Sequence, residues 1–236
     1  MVPQHIAIIM DGNNRWARQR NLPSASGHRA GVEAIRNVLY GCREHGIKVL
    51  TLFAFSSENW GRPRQEVRYL MALFARYLRN ETQKLHDDGV RMRFIGERDR
   101  FPQRIKGLIK RAEQLTESNG DTTLVIAADY GGRWDVANAA RALAEEVERG
   151  ALASADISPE QLDRRMALAD LPKPDLCIRT GGDHRISNFL LWQFAYSELY
   201  FTETLWPDFS ATDLHLAIED FNRRERRFGL RGENHA

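Results

Sequence analysis

One arrangement recurs along this chain and restricts its fold more than any other: an unbroken apolar run that stops at a polar loop. It is first met at Ile6-Ala7-Ile8-Ile9-Met10, followed by Asp11-Gly12-Asn13-Asn14-Arg15-Trp16. Apolar residues without alternation, over a stretch too short for a core helix, fit a strand buried on both faces, as in a parallel sheet covered by helices. Lys48 to Phe55 repeats the arrangement and ends in Ser56-Ser57-Glu58-Asn59-Trp60-Gly61-Arg62-Pro63. Thr122 to Ala128 ends in Asp129-Tyr130-Gly131-Gly132-Arg133-Trp134, and Asp175 to Ile178 leads into Arg179-Thr180-Gly181-Gly182-Asp183-His184-Arg185-Ile186-Ser187-Asn188. Val90 to Ile95, between Gly89 and Gly96, and Leu199-Tyr200-Phe201 bring the strands to about six.

Helical spacing fills the intervals. After a loop at Asn21 to Gly27, Val32, Ile35, Leu39 and Cys42 recur at helical spacing until Gly46. Pro63 suits a first helical turn, and Val67, Leu70, Met71, Phe74, Leu78 and Leu85 mark one face of a long helix reaching to about Asp88. Ile105 to Leu115 and Val136 to Val147 give two more. Ser158-Pro159-Glu160-Gln161 opens a short one as a capping box, stopped by Pro172-Lys173-Pro174, and Ser210 caps the last. Strands alternating with helices over all 236 residues, with no linker, repeat or low-complexity segment, predict a single α/β domain, 1–236, on one helix-flanked parallel sheet.

In such sheets the loops beyond the carboxyl ends of the strands share one edge, where ligands collect. That places Asp11, Asn13, Arg15, Asn59, Arg62, Arg133, Arg179, His184, Arg185 and Ser187 around one crevice. Arginine, serine and glycine-amide donors beside one or two carboxylates suit a phosphate ester held with a divalent cation. Each loop taken singly has a plainer explanation: Asp11-Gly12 as a turn, Asn13 or Asn14 as a helix cap, Gly131-Gly132 and Gly181-Gly182 as turns. The joint occurrence favours a site. Leu70, Met71, Phe74 and Leu78 read first as core, and second as the wall of a tunnel for a lipid chain.

Composition removes several alternatives. A net charge of +2 gives no bulk attraction to nucleic acid. Cys42 and Cys177 are too few for a cysteine metal site and read as buried thiols of a reducing cytoplasm. No window approaches the roughly 20 apolar residues of a membrane span, so a cytoplasmic protein with room to act at a membrane surface is expected. The sequence has no G-x-x-x-x-G-K-[ST], no G-x-G-x-x-G after a strand and no H-E-x-x-H, which disfavours P-loop hydrolases, Rossmann dehydrogenases and zinc proteases.

The segments His5 to Trp16, Gly27-His28-Arg29-Ala30-Gly31, Thr51 to Pro63, Tyr130 to Asp135, Arg179 to Gln193, Glu198 to Phe201 and Glu225 to Gly229, in this order, strongly resemble the cis-prenyltransferases. The likeness covers nearly the whole chain. It implies a homodimer whose subunits carry a parallel sheet, flanking helices and a hydrophobic tunnel, with Arg226, Arg227 and Gly229 reaching toward the partner's crevice. It implies that Asp11, Gly12, Asn13, Arg15 and His28 hold an allylic diphosphate, with Trp16 and Ser56 also binding substrate. Isopentenyl diphosphate is then expected at Arg179, Arg185 and Ser187, positioned by Asn59, Trp60 and Arg62. By the same resemblance Asp11 and Asn59 are catalytic, and Asp11 and Glu198 hold Mg2+. The product would be a long-chain cis-polyprenyl diphosphate delivered to a membrane, with Ala54 among the residues that leave room for it. Four positions depart from the family pattern: Asn14 for a frequent Gly, Ser24 where an Arg often assists, Asp129 for Asn and Asp183 for Glu. Arg18, Arg20 and Arg29 are the candidates to replace the missing cation. A non-catalytic subunit of the same fold would be expected to have lost Asp11 or the arginines, and a phosphate-ester hydrolase would leave an apolar tunnel unexplained.

Overall fold

In a computed structural model of the chain, which describes residues 2–224, the apolar runs form strands β1 (His5–Ile9), β2 (Val49–Ser56), β3 (Val90–Ile95), β4 (Thr122–Tyr130), β5 (Leu176–Arg179) and β6 (Glu198–Phe201). All pair in parallel, in the order β3-β4-β2-β1-β5-β6. Unbroken apolar sequence is explained by burial on two faces. In β1, Ile6 and Ile8 enter one core and Ala7 and Ile9 the other, and every residue of β1 and β4 is buried. Each fully buried isoleucine contributes about 1.5–3 kcal/mol.

Helices α1 (Asn13–Gln19), α2 (Ser24–Glu44), α3 (Arg64–Asp87), α4 (Gln103–Leu115), α5 (Gly132–Glu148), α6 (Pro159–Asp163) and α7 (Ala211–Arg223) fill the intervals. Two differ from expectation. Residues 13–19 form a helix of their own, where the sequence offered only a helix cap at Asn13 or Asn14, and α2 begins at Ser24 inside the expected loop, so only residues 20–23 connect α1 to α2. The cause is close packing: a Cβ on Gly27 would lie 2.0 Å from the Asn13 carbonyl oxygen, and the Trp206 indole donates to the Gly31 carbonyl at 2.8 Å. Gly27 and Gly31, one turn apart, thus let α2 lie against the start of α1. At α6 the expected cap is present, with Ser158 accepting from the Gln161 amide, and α7 carries a full capping box between Ser210 and Asp213.

The strand order fixes the site. Strand β1 is central, with β2 on one side and β5 on the other, and the chain's two halves spread outward from there. Ile9 stands level with both Phe53 and Arg179, so the loops leaving β1, β2 and β5 open together at the point where the winding reverses. Strand β2 is irregular there. Phe53 pairs with Ala127 and Phe55 with Ala128, leaving Ala54 as an extra residue that bulges out of the β2–β4 ladder and is exposed.

Candidate active site

A cavity of about 570 Å³ lies at this point, with a polar mouth and an apolar interior. Its mouth is formed by Asp11, Gly12, Asn13, Asn14, Arg15, Arg18, His28, Ser56, Asn59, Arg62, Arg179, Asp183, Arg185 and Ser187. Its interior is formed by Leu52 to Phe55 of β2, Val32 and Ile35 of α2, and Leu70, Met71, Leu73, Phe74 and Tyr77 of α3. The helix face that sequence left between core and tunnel wall divides accordingly: Leu70, Met71 and Phe74 line the cavity, while Leu78 is buried in the core.

Asp11 sits at the border between mouth and interior. Its turn is held by Thr180, whose Oγ1 accepts from the Asp11 amide at 2.9 Å and donates to the Asp11 carbonyl at 2.8 Å, and by Gly12 at φ 108°. One carboxylate oxygen accepts from the Gly12 amide at 2.6 Å and lies 3.3 Å from Arg15; the other accepts from Arg179 Nη2 at 2.9 Å. Burial alone would raise this carboxyl, but the Arg179 hydrogen bond and charge, together with Arg15, hold it below the usual aspartate range. Gly181, at φ 86°, is required beside it, because a Cβ there would meet Arg15 at 2.6 Å and the Asp11 carbonyl oxygen at 3.1 Å.

Arg179 ties the site together. Its side chain is only 5% exposed, and it donates to Asp11, to Asp183 at 3.1 Å, to the Arg185 carbonyl at 2.5 Å and to Ser187 Oγ at 2.7 Å. The loop it organises is clamped at its far end: Asn188 Nδ2 donates to Glu58 at 2.7 Å, and Asn188 oxygens accept from the Gly132 and Arg133 amides. Asn188 and Thr180 were not singled out from sequence as site-forming, and both carry only ordinary turn signals. On the other side, Arg62 pairs with Glu66 at 2.9 Å, and the Asn59 side chain caps its own turn by accepting from the Ser56 amide at 3.0 Å. His28 Nε2 is buried without a partner among the described residues, and burial, reinforced by the nearby Arg62 charge, lowers the imidazole from its ordinary value. It is therefore neutral at pH 7.

Several expected residues are not brought to the cavity. The Trp16 indole donates to Asp208 at 2.7 Å, with Arg20 stacked 4.3 Å over its ring. Trp60 packs on Phe55 and Phe101 because its turn directs the ring toward the α4 side of β2. His184 stacks on Phe201, and Arg133 contributes its backbone amide to the Asn188 clamp without lining the cavity. Glu198 opens β6, level with Leu176 and three residues below Arg179, and accepts from Arg224 at 2.8 Å. At about 3.3 Å per residue this is roughly 10 Å down the sheet from Arg179, with Asp11 beyond the end of β1, so within one chain Glu198 does not complete an Asp11 metal site. Arg226, Arg227 and Gly229 lie outside the described residues.

The departures resolve by position. Ser24 bonds Asn14 at the mouth, and of the three candidate replacements for the absent arginine only Arg18 lines the cavity; Arg20 is on Trp16, and Arg29 lies in a neighbouring cleft. Asp129 pairs with Arg100 away from the cavity, whereas Asp183 faces it. Among the described residues, five arginines and two aspartates thus line the mouth, an excess of positive charge suited to a polyanion. No group of three His, Cys, Asp or Glu side chains among the described residues forms a metal cage. Asp11, a hard oxygen donor on a fixed turn, fits Mg2+, which binds through one or two carboxylates plus the phosphates of a substrate.

Residues 9–229 match the prenyltransferase family described as "Putative undecaprenyl diphosphate synthase". The chain is 55% identical over 232 residues, 98% of its length and 92% of the other, to the ditrans,polycis-undecaprenyl-diphosphate synthase ((2E,6E)-farnesyl-diphosphate specific) of Pseudomonas aeruginosa. It is 57% identical over 229 residues, 97% and 89% of the two lengths, to the enzyme of the same name from Xanthomonas axonopodis pv. citri. Among solved structures it resembles lavandulyl diphosphate synthase from Lavandula x intermedia in complex with dimethylallyl diphosphate, with TM-score 0.94 and 36% identity over 97% of this chain and 98% of that one. It also resembles a probable undecaprenyl diphosphate synthase from Campylobacter jejuni, with TM-score 0.80 and 33% identity over 96% and 98%.

Proposed function

The chain belongs to the undecaprenyl diphosphate synthase family of prenyltransferases, and from that premise we propose that it condenses isopentenyl diphosphate units onto farnesyl diphosphate to make undecaprenyl diphosphate. The observation that carries this reading is one cavity in which an arginine-rich mouth passes directly into an apolar interior, with Asp11 at the border. A diphosphate fits the first part and a prenyl chain the second.

The reaction breaks the allylic C1–O bond, forms a bond from C1 to the terminal carbon of isopentenyl diphosphate, and loses a proton from that unit to leave a cis double bond. Diphosphate departs only if its growing charge is met by groups already in place. Asn13, Arg15, Arg18 and the turn at Gly12 are assigned to hold it, with His28 as a neutral hydrogen-bonding partner. Arg185 and Ser187 are assigned to isopentenyl diphosphate, with Asn59 and Arg62 facing them. Arg179, in contact with both Asp11 and Ser187, sets the separation of the two substrates. Mg2+, held by Asp11, would supply positive charge to the departing diphosphate. The apolar interior keeps water from the carbocation-like carbon and gains about 25 cal/mol per Å² of chain buried. A phosphate-ester hydrolase would need a water admitted at this position, and the same apolar wall excludes it.

A homodimer completes the reading. Strand β6 is an edge of the sheet, and Leu199 on it and Tyr196 before it are 37% and 73% exposed, an apolar surface suited to a second copy. No helix among the described residues is long and apolar enough to cross a membrane; we assign the protein to the cytoplasm, delivering its product to the membrane's inner face. Purified protein given farnesyl diphosphate, radiolabelled isopentenyl diphosphate and Mg2+ tests the function. Butanol-extractable radiolabelled polyprenyl product is expected, and release of inorganic phosphate or diphosphate without chain growth would refute it.

A further inference from the structure

Strand β4 is irregular opposite the end of β2. Phe55 pairs with Ala128 and Ser56 with Tyr130, so Asp129 between them is an extra residue bulged out of the ladder, in the left-handed region at φ 55°. A bulge beside a site re-aims a side chain. Here it delivers the Asp129 carboxylate, which is fully buried, to Arg100 in the loop between β3 and α4. Arg100 meets it with two prongs, Nε donating to one oxygen at 3.0 Å and Nη2 to the other, and the Glu97 amide donates to the Asp129 carbonyl at 3.0 Å.

Fixed in this way, the Arg100 guanidinium lies over the Trp60 ring, 5.4 Å from its centroid. Phe55 and Phe101 close on the same ring at 5.1 and 5.9 Å. The Trp60 indole N–H is buried with no partner among the described residues, so the faces and edges of its neighbours hold the ring, not a hydrogen bond. A guanidinium already pinned by a buried carboxylate loses little further freedom in covering the ring.

What the ring anchors is the turn Ser57–Gly61. The Asn59 side chain accepts from the Ser56 amide at 3.0 Å and the Asn59 carbonyl accepts from the Arg62 amide at 3.1 Å, so Asn59 and Arg62, which both line the mouth, form one closed unit with Trp60. The same turn is tied to the β5 loop by Glu58 and Asn188. Building on the proposed function, we propose that Arg100 and Asp129 are positioning residues for isopentenyl diphosphate. Neither lines the cavity; they act through Trp60 to hold Asn59 and Arg62 toward that substrate. The turn at Gly12 that is assigned to farnesyl diphosphate belongs to another loop, so the effect is selective for one substrate.

The test is steady-state kinetics of wild-type protein, Arg100→Ala, Arg100→Lys, the double variant Arg100→Ala with Asp129→Asn, and Arg93→Ala, with farnesyl diphosphate, radiolabelled isopentenyl diphosphate and Mg2+, folding being checked by thermal melting. The double variant leaves no buried unpaired charge and answers the question should Arg100→Ala not fold. It is expected to raise the KM for isopentenyl diphosphate about tenfold, with the KM for farnesyl diphosphate within about twofold of wild type and kcat within about threefold. Arg100→Lys keeps a cation between Asp129 and the ring and should recover most of that loss. Arg93 pairs with Asp170 at 2.6 Å on the edge strand β3, and Arg93→Ala, which removes an ion pair elsewhere, should leave both KM values unchanged. A folded double variant whose KM for isopentenyl diphosphate stays within twofold of wild type, or rises only in step with that for farnesyl diphosphate, would overturn the positioning role alone. A wild type that forms no polyprenyl product would overturn both this role and the function it rests on.

Discussion

At the scale of single residues the account rests on Asp11 and the arginines around it. Asp11→Ala should lower kcat by about a thousandfold or more, on the order of 4 kcal/mol in the barrier, with folding retained, because it removes the group aimed at the leaving diphosphate rather than a binding contact. Steady-state kinetics retaining over a tenth of wild-type kcat would contradict that role. Because Arg179 and Arg15 depress its carboxyl, Asp11 is ionised across the neutral range, and the stability of this pairing is lost only as pH falls through its lowered value. The two arginines of the β5 loop are not equivalent. Arg185, exposed and paired with Asp183 at 2.7 Å, should on replacement by alanine raise the KM for isopentenyl diphosphate with little change in that for farnesyl diphosphate. Arg179→Ala should impair both substrates, since it leaves Asp11 without its buried partner. Equal effects of the two substitutions on both KM values would refute this division. The sequence placed these residues on one edge of a sheet. It could not show that Arg179 reaches Asp11 and Ser187 together, nor that Trp16 and Trp60 turn away, since residue spacing fixes a backbone position and leaves the rotamer open.

At the scale of elements, the loops depend on how rigidly β1, β2 and β5 are joined. His5 opens β1 with Nε2 bonded to Thr51 on β2 at 2.7 Å and Nδ1 to the Pro172 carbonyl ahead of β5 at 2.6 Å. Burial lowers this imidazole to about 4, against the Pro172 hydrogen bond and Asp175, which act in the other direction. The unfolded chain takes up a proton near pH 6.5 and the folded one does not until near pH 4, so stability falls as pH drops through that window. The loss should be about 2 kcal/mol between pH 7 and pH 5, read by urea denaturation, and it should be smaller by that amount in His5→Gln. A pH dependence identical in both proteins would remove His5 from the account. The bulge in β2 has its own consequence: Ala54 faces the cavity, so Ala54→Leu should shorten the products while sparing the first condensation. Mass analysis showing unchanged products would contradict it. The strands themselves were legible as apolar runs, with ends within about two residues. Helix α1 was not, because Gly12-Asn13-Asn14 reads as a turn, and Ser24 to Gly27 reads as loop until Gly27 is seen to be required for helix contact.

At the scale of the whole molecule, the alternation of strand and helix was enough to expect a parallel sheet with its site beyond the carboxyl ends of the strands. The same rule would have put Glu198, at the start of β6, on the opposite end, yet the family resemblance assigned it to the metal; in one chain it lies with Arg224. What spacing could not reveal was the depth of the crevice. An apolar chamber walled by α2, α3 and β2 lies under the arginine mouth, and its room depends on the sizes of side chains on three elements at once. Mouth and chamber together are the central claim, and analysing by mass spectrometry the products formed from farnesyl diphosphate and isopentenyl diphosphate with Mg2+ tests both in one measurement. A dominant undecaprenyl diphosphate, with one diphosphate released for each isopentenyl unit consumed, is the predicted result. A product no longer than the next isoprene homologue of the starter, or diphosphate released with no new carbon–carbon bond, would contradict it.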